Sequence, residues 1–348
     1  MQLPDRAPTP MHAPAPLPAP RGPLTDFLFD HLVRAPHRLT VPPGPVDDPL
    51  WGDDFHLALY CCYELHYRSM AGVAEAWEWE PSLVGFRGRL EQAFERRLHE
   101  EVGAPQPVED VEAALHDVIA GHVGPSLSSY AEQRADLEQL RELAVHRSAY
   151  QLKEADPHSW AIPRLSGRAK SALVEIQFDE YGAGVPGQSH AELWATSMEA
   201  LGLDSAYGAY LDVLPGLTLA TTNLITLFGL HRRLRGALVG HLAIFEMTSV
   251  VPMARYAAAL RRVGITAAGR RFYDVHVEAD AHHEVVASRS LAAGLVASEP
   301  SLAGDVLFGA WAIMALEDRF ARHVLGRFEA GRSSLLAPHS AASGARLS

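Results

Sequence analysis

Apolar residues recur at spacings of three and four along most of the chain. In residues 51–70 they fall at Phe55, Leu57, Leu59, Tyr60 and Tyr63. In residues 81–102 they fall at Leu83, Phe86, Leu90, Phe94 and Leu98, with Pro81 at a first helical position. The same period predicts helices over 111–122, 128–154, 163–181, 188–201, 217–230, 232–250, 252–263, 266–297 and 302–328. Gly182, Gly184, Pro186 and Gly187 end the third of these nine segments, the one that closes at Tyr181. No stretch alternates Val, Ile and Thr, so strands are expected to be absent or minor. The pattern predicts an all-α chain of about ten helices in one domain spanning residues 25–332.

The ends differ. Thirteen of the 24 prolines lie in the first 50 residues, eight of them before Leu24, among alanines and little to bury. Residues 1–24 are therefore expected to be a disordered tail, followed by an ordered lead-in through Phe27, Leu28, Phe29, Leu32 and Val33. Residues 333–348 are expected to be a second frayed tail.

Composition narrows the function classes. With 348 residues, 48% hydrophobic and 21% charged, the chain is globular in type. A net charge of −12 argues against partners bound through phosphate neutralisation, nucleic acid or an anionic membrane surface alike. Cys61 and Cys62 are the two cysteines, and adjacent cysteines form neither a disulfide framework nor a Cys-rich zinc site. No run of 18 uncharged apolar residues is present, and residues 217–230 come nearest. The expectation is a soluble, reduced, cytoplasmic protein without a membrane partner.

Three segments carry candidate chemistry. In FYDVHVEADAHHEVV, His276, Asp280 and His283 are spaced i, i+4, i+7. At about 100° per residue, Asp280 lies roughly 40° and His283 roughly 20° from His276, so all three share one stripe. Two imidazoles and a carboxylate on one face suit non-haem Fe(II), Mn or Zn. His282 and Glu278 point off the stripe; a solvated polar face is the competing explanation. In VEIQFDEYGAGVPGQSH, the residues Glu175, Asp179, Glu180 and His190 flank a Gly/Pro break that lets two consecutive helices turn side chains into one pocket. Glu180 at a helix C-terminus is opposed by the dipole, a local cost that a metal can offset. In HRSAYQLKEADPHSW, Glu154 is read in the last turn of a long helix, with Asp156 and His158 as competitors.

Together these segments supply Glu154, Glu180, His190, His276, Asp280 and His283 as metal ligands, with Glu180, His276 and Asp280 central to catalysis. Two Fe(II) ions against three carboxylates leave a site near neutrality. The order Glu … Glu-x9-His … His-x3-Asp-x2-His resembles the haem-oxygenase-like diiron oxidases and oxygenases, also grouped as iron-containing redox enzymes. The resemblance covers roughly residues 140–286, and its specific parts are the DEYG…H segment and the HVEADAHH helix. It implies an all-α haem-oxygenase-like fold without haem, two Fe(II) per chain, and O2 as cosubstrate. It also implies a small-molecule substrate (an amino acid, amine or fatty acid) undergoing N-oxygenation, desaturation or oxidative C–C cleavage. Electrons would come from a reductase or from the substrate. Glu175 is the alternative first carboxylate. The oligomeric state is open, a homodimer being one form.

Other polar residues have weaker claims. Tyr273 lies one turn before His276 and reads as core or as a redox-active neighbour. His241 and Glu246 sit in an apolar helix, as cavity-lining groups or as a mutually satisfied buried pair. Gln177 and Tyr181 could shape the pocket. Glu64 and His66, two residues apart, do not share a helix face and are declined as a metal pair. A non-catalytic helical metal- or small-molecule-binding accessory protein is the alternative to an enzyme, and a haem-binding oxygenase is a third reading.

Overall fold

The computed structural model describes residues 13–40, 47–104 and 108–337. In chain order its main helices are α1 (Pro23–Leu32), α2 (Asp53–Glu64), α3 (Pro81–Val102), α4 (Val111–Ala120), α5 (Leu127–Gln133), α6 (Leu137–Gln151) and α7 (Asp156–Ser159). They continue with α8 (Gly167–Glu180), α9 (His190–Ala200), α10 (Gly216–Leu230), α11 (Arg235–Thr248), α12 (Val250–Arg262), α13 (Ala267–Val285), α14 (Ala293–Ser298) and α15 (Ala303–Glu329). Among the described residues the strands are a parallel pair of two residues each, β1 (Ala15–Pro16) and β2 (Met70–Ala71). The all-α expectation holds.

Helix α10 carries no charged side chain because it is buried on nearly every side: all but Leu217 and Leu230 of its residues are buried. Its hydrophobic run belongs to the core, and no single helix among the described residues is long and apolar enough to cross a membrane. Around it pack α2, α6, α7, α11 and α15. The closest crossing is α11 on α15. A Cβ on Gly240 would lie 1.8 Å from the Val306 carbonyl oxygen, and one on Gly309 would lie 1.9 Å from that of Ala237. The two backbones therefore touch where side chains would otherwise hold them apart, and this fixes the depth at which α11 presents its polar residues.

Several boundaries differ from the sequence expectation. The stretch 128–154 is two helices, and α6 stops at Gln151, so Glu154 stands in a non-helical turn rather than in a last helical turn. The predicted helix 266–297 is interrupted after Val285 by a π-helical segment, Val286–Ala292. The N-terminal tail is also shorter than expected. Residues 13–24 are ordered: Ala15 is buried beside β2, Ala19 N donates to Asp212 Oδ1 (2.7 Å), and Leu24 N donates to Asp54 Oδ2 (2.8 Å). These residues gain order from partners distant in sequence, which local composition does not reveal. At the other end Ser334 is buried, its hydroxyl meeting His146 Nε2 (2.9 Å), and Leu336 N donates to the Val213 carbonyl (2.9 Å). The rest of both expected tails, 1–12 and 338–348, lies outside the described residues.

Candidate metal centre

Four elements bring the candidate ligands together. The turn after α6 supplies Glu154. The end of α8 and the first residue of α9 supply Glu180 and His190. The third turn of α13 and those after it supply His276, Asp280 and His283. The start of α9 is held by a capping box in which the Ser189 amide donates to Glu192 Oε2 (3.2 Å) and the Glu192 amide donates to Ser189 Oγ (3.4 Å). The connection is compact because Gly182, at φ +67°, leaves room for the backbone of Gln188, which a Cβ would meet at 2.4 Å. Glu180 and His190 thus face each other although nine residues separate them.

The six predicted ligands are all buried. His190 Nδ1 is 3.0 Å from Glu180 Oε2 and 3.9 Å from Glu154 Oε2, and His276 Nε2 is 3.5 Å from Glu154 Oε1. Glu154, Glu180, His190 and His276 present one donor atom each within 4.8 Å of one another. A second such group is Glu180, Glu246 and His283. Glu180 belongs to both. Asp280 Oδ1 lies 3.6 Å from His283 Nδ1, beside the second group.

These atoms come close without satisfying one another. Glu180 Oε2, His190 Nδ1, His283 Nδ1 and both oxygens of Asp280 are buried with no hydrogen-bond partner among the described residues. Orphaned buried lone pairs that converge on common points are costly unless a cation completes them. The donor set, carboxylates with imidazoles, suits iron, manganese or zinc. The residues present fit two divalent ions.

The far sides of two imidazoles are anchored. His276 Nδ1 meets the Phe272 carbonyl (2.7 Å), which sets the tautomer and leaves Nε2 free toward Glu154. His283 Nε2 meets Asp179 Oδ2 (2.9 Å), which leaves Nδ1 toward Glu246 (3.3 Å) and Asp280. Without metal, protons do part of the balancing. Burial lowers the pKa of His276, but Glu154 outweighs it and raises the group to about 10; burial likewise opposes His283, which Asp280 and Glu246 raise to about 11. Burial, with Glu180 and Asp280 adding repulsion, raises Glu246 to about 7.

Glu246 lines the cavity and meets His283, as the first of its two sequence readings held. It does not pair with His241, as the buried-pair reading held. His241 Nδ1 instead meets His158 Nε2 (3.2 Å), so His158 is removed from competition with Glu154. Asp156 is removed as well, since it accepts from the Tyr181 hydroxyl (2.9 Å) at the surface. Glu246 also brings the buried carboxylates of the two groups and Asp280 to four, the charge that two dications would neutralise. The choice between Glu154 and Glu175 is decided by position: Glu175 is exposed and bound to the equally exposed His282 at 2.8 Å. Glu64, declined as a ligand, is closed off by Lys153 and the Tyr207 hydroxyl.

A cavity of about 320 Å³ opens onto Glu154, Glu180, Glu246, His276 and Asp280. Away from the carboxylates its wall is mainly apolar and aromatic, with Leu143, Tyr150, Phe245, Tyr256 and Tyr273 among its members. Gln177 lies in this wall, its amide donating to the Ala155 carbonyl (2.8 Å). Tyr273 packs edge-on against Trp194 and Phe272, in keeping with a core role.

Residues 141–318 match the family described as iron-containing redox enzymes. The chain belongs to this family. It is 28% identical over 145 residues to a nitrosourea synthase from Streptomyces achromogenes subsp. streptozoticus, a match covering 42% of this chain and 31% of that protein. The chain thus aligns with about a third of that relative's length. Its fold resembles the crystal structure of a CADD-like protein of unknown function from Nostoc punctiforme. The TM-score is 0.50 at 17% identity, over 62% of this chain and 96% of that one. An all-α, haem-oxygenase-like bundle is therefore the fold of an iron-containing redox family, with a buried Glu/His cluster that can hold metal.

Proposed function

We propose that this chain is a non-haem diiron oxidase or oxygenase that uses O2 to oxidise a small metabolite held in the cavity. The observation that carries the reading is the pair of carboxylate–histidine groups joined by Glu180, with unpartnered donor atoms turned inward. Bound Fe(II) would supply O2 binding and the oxidising power. Glu154, His190 and His276 would hold one ion, Glu246 and His283 with Asp280 the other, and Glu180 both. The protein's own part is to fix these donors, orient the substrate along the aromatic wall, and exclude water by burial. The residues around the centre are compatible with N-oxygenation, desaturation or C–C cleavage. The relative named as a nitrosourea synthase supports oxidation at nitrogen first, since a nitrosourea carries an oxidised nitrogen. A reductase or the substrate would provide electrons.

The test is anaerobic loading with Fe(II), a count of bound iron, and O2 uptake against a panel of amino acids, amines and fatty acids. The expected result is two irons per chain and substrate-dependent uptake, lost in Glu180→Ala, His276→Ala and Asp280→Ala while helicity persists. Unchanged iron content and uptake in all three variants would reject the assignment. Iron binding without uptake for any class would leave the accessory-protein alternative.

A further inference from the structure

The cavity wall contains a bidentate ion pair that the metal centre does not use. Arg147 on α6 and Glu317 on α15 meet through two parallel bonds, Nη1 to Oε1 at 2.7 Å and Nη2 to Oε2 at 2.6 Å. The Arg147 guanidinium also lies 4.5 Å from the centre of the Phe320 ring. Both residues line the cavity, and their side chains stay 27% and 26% uncovered. The pair therefore offers polar edges to whatever occupies the cavity. The fork uses one N–H on each terminal nitrogen, so outer N–H groups remain on Arg147 and outer lone pairs remain on Glu317. The other acid in the wall away from the centre, Asp318, is already engaged by Arg322 Nε (2.8 Å) and lies 3.6 Å from His122 Nε2.

We infer that the Arg147–Glu317 pair docks the zwitterionic head of an α-amino acid, whose side chain extends along the cavity to the metal centre. This rests on the cavity being the substrate chamber of the proposed enzyme. Charge decides the class. The pair is neutral as a unit, so a fatty acid or a simple amine would bring one uncompensated charge into an apolar chamber. A zwitterion brings none, its carboxylate accepting from Arg147 and its ammonium donating to Glu317. Spacing decides which end reacts. Arg147 precedes Glu154 by seven residues, and the four steps along the end of α6 alone span about 6 Å at helical rise. The head group is thus held away from the centre, and the distal end of a long side chain meets it.

The test is calorimetric titration of the metal-free and the anaerobic Fe(II)-loaded protein with L-norleucine, hexanoate and hexylamine, which share a chain length and differ in head group. L-norleucine should bind at least tenfold more tightly than either. In Glu317→Gln the freed Arg147 should turn the preference to hexanoate, and in Arg147→Met the freed Glu317 should turn it to hexylamine. The double variant Arg147→Met/Glu317→Met, which replaces the pair by apolar volume and so protects the fold, should lose the norleucine preference at least tenfold. A pair that only staples α6 to α15 would change melting temperature in these variants without reordering the three ligands. That outcome, equal binding of the three by the parent protein, or no binding at all would overturn the inference. Norleucine preference with no iron uptake would instead reject the diiron reading and leave the docking pair standing.

Discussion

Residues 153 and 154 are adjacent, and the two buried polar clusters they enter are opposites. Lys153 reaches Glu64 on α2, whose other oxygen accepts from the Tyr207 hydroxyl at 2.7 Å, and the Tyr60 and Tyr67 rings flank the ammonium at 4.8 and 4.4 Å. Every charge in that cluster is answered by protein. Glu154, one residue on, enters a cluster of four carboxylates and three histidines in which donor atoms face one another unpaired. The first cluster is closed and holds the turn; the second is left open at its centre. The difference teaches that burial of charge does not by itself mark a metal site. What marks it is burial with the hydrogen-bonding account left incomplete. The two are coupled, because the Glu154 turn has left the α-helical ladder, with Lys153 N bonded to the Tyr150 carbonyl (2.9 Å), and is pinned by Lys153 and by Arg68 Nη2 donating to the Leu152 carbonyl at 3.1 Å.

The largest effect should come from breaking the closed cluster. Lys153→Met strands Glu64 and should cost about 3–5 kcal/mol of stability, measured by denaturant unfolding of the metal-free protein. Glu180→Gln, by contrast, should cost the metal-free protein less, because the histidines that face Glu180 keep Glu154, Glu246 and Asp280 as partners, while it removes stabilisation by added Fe(II). If both substitutions behave alike, the distinction between the clusters fails.

Next, the two kinds of buried histidine should give opposite pH limbs. His276 and His283 are raised to about 10 and 11 in the metal-free fold. Their stabilising contribution is complete below the ordinary pKa of about 6.5 and is lost as pH rises toward 10–11. Burial pushes His56 and His146 down to about 3, so they destabilise the fold as pH falls from about 6.5 toward 3. Saturating Fe(II) should remove the alkaline limb and keep the acid one, since the ions would take the place of the protons on His276 and His283 and would not reach His56 or His146. Thermal unfolding across pH, with and without Fe(II) under anaerobic conditions, reads both limbs.

A smaller effect is expected at Asp179, which touches His283 Nε2 on the side away from Glu246 and Asp280. Asp179→Asn should weaken iron binding about 10- to 100-fold with little loss of fold, measured by Fe(II) titration. The smallest belongs to the exposed pair next to it: Glu175→Ala should change stability by less than about 0.5 kcal/mol and leave iron affinity alone. A large loss of iron on Glu175→Ala would return Glu175 to the ligand set.

What the sequence determined was local. The period of three and four set an all-helical chain, and the i, i+4, i+7 spacing put His276, Asp280 and His283 on one stripe, because helical geometry alone decides which of those side chains share a face. The Gly/Pro break between Glu180 and His190 was equally legible, since a glycine-rich turn between two helices acts over a few residues. The tertiary structure decided the rest. Glu246 enters the centre because α11 seats against α15 through Gly240 and Gly309, a contact between residues some seventy positions apart in sequence. Glu154 rather than Glu175, Asp179 behind His283, and Arg147 opposite Glu317 are likewise pairings across the bundle. Periodicity tells a residue which side of its own helix it occupies; which neighbour it finds there depends on how the helices pack.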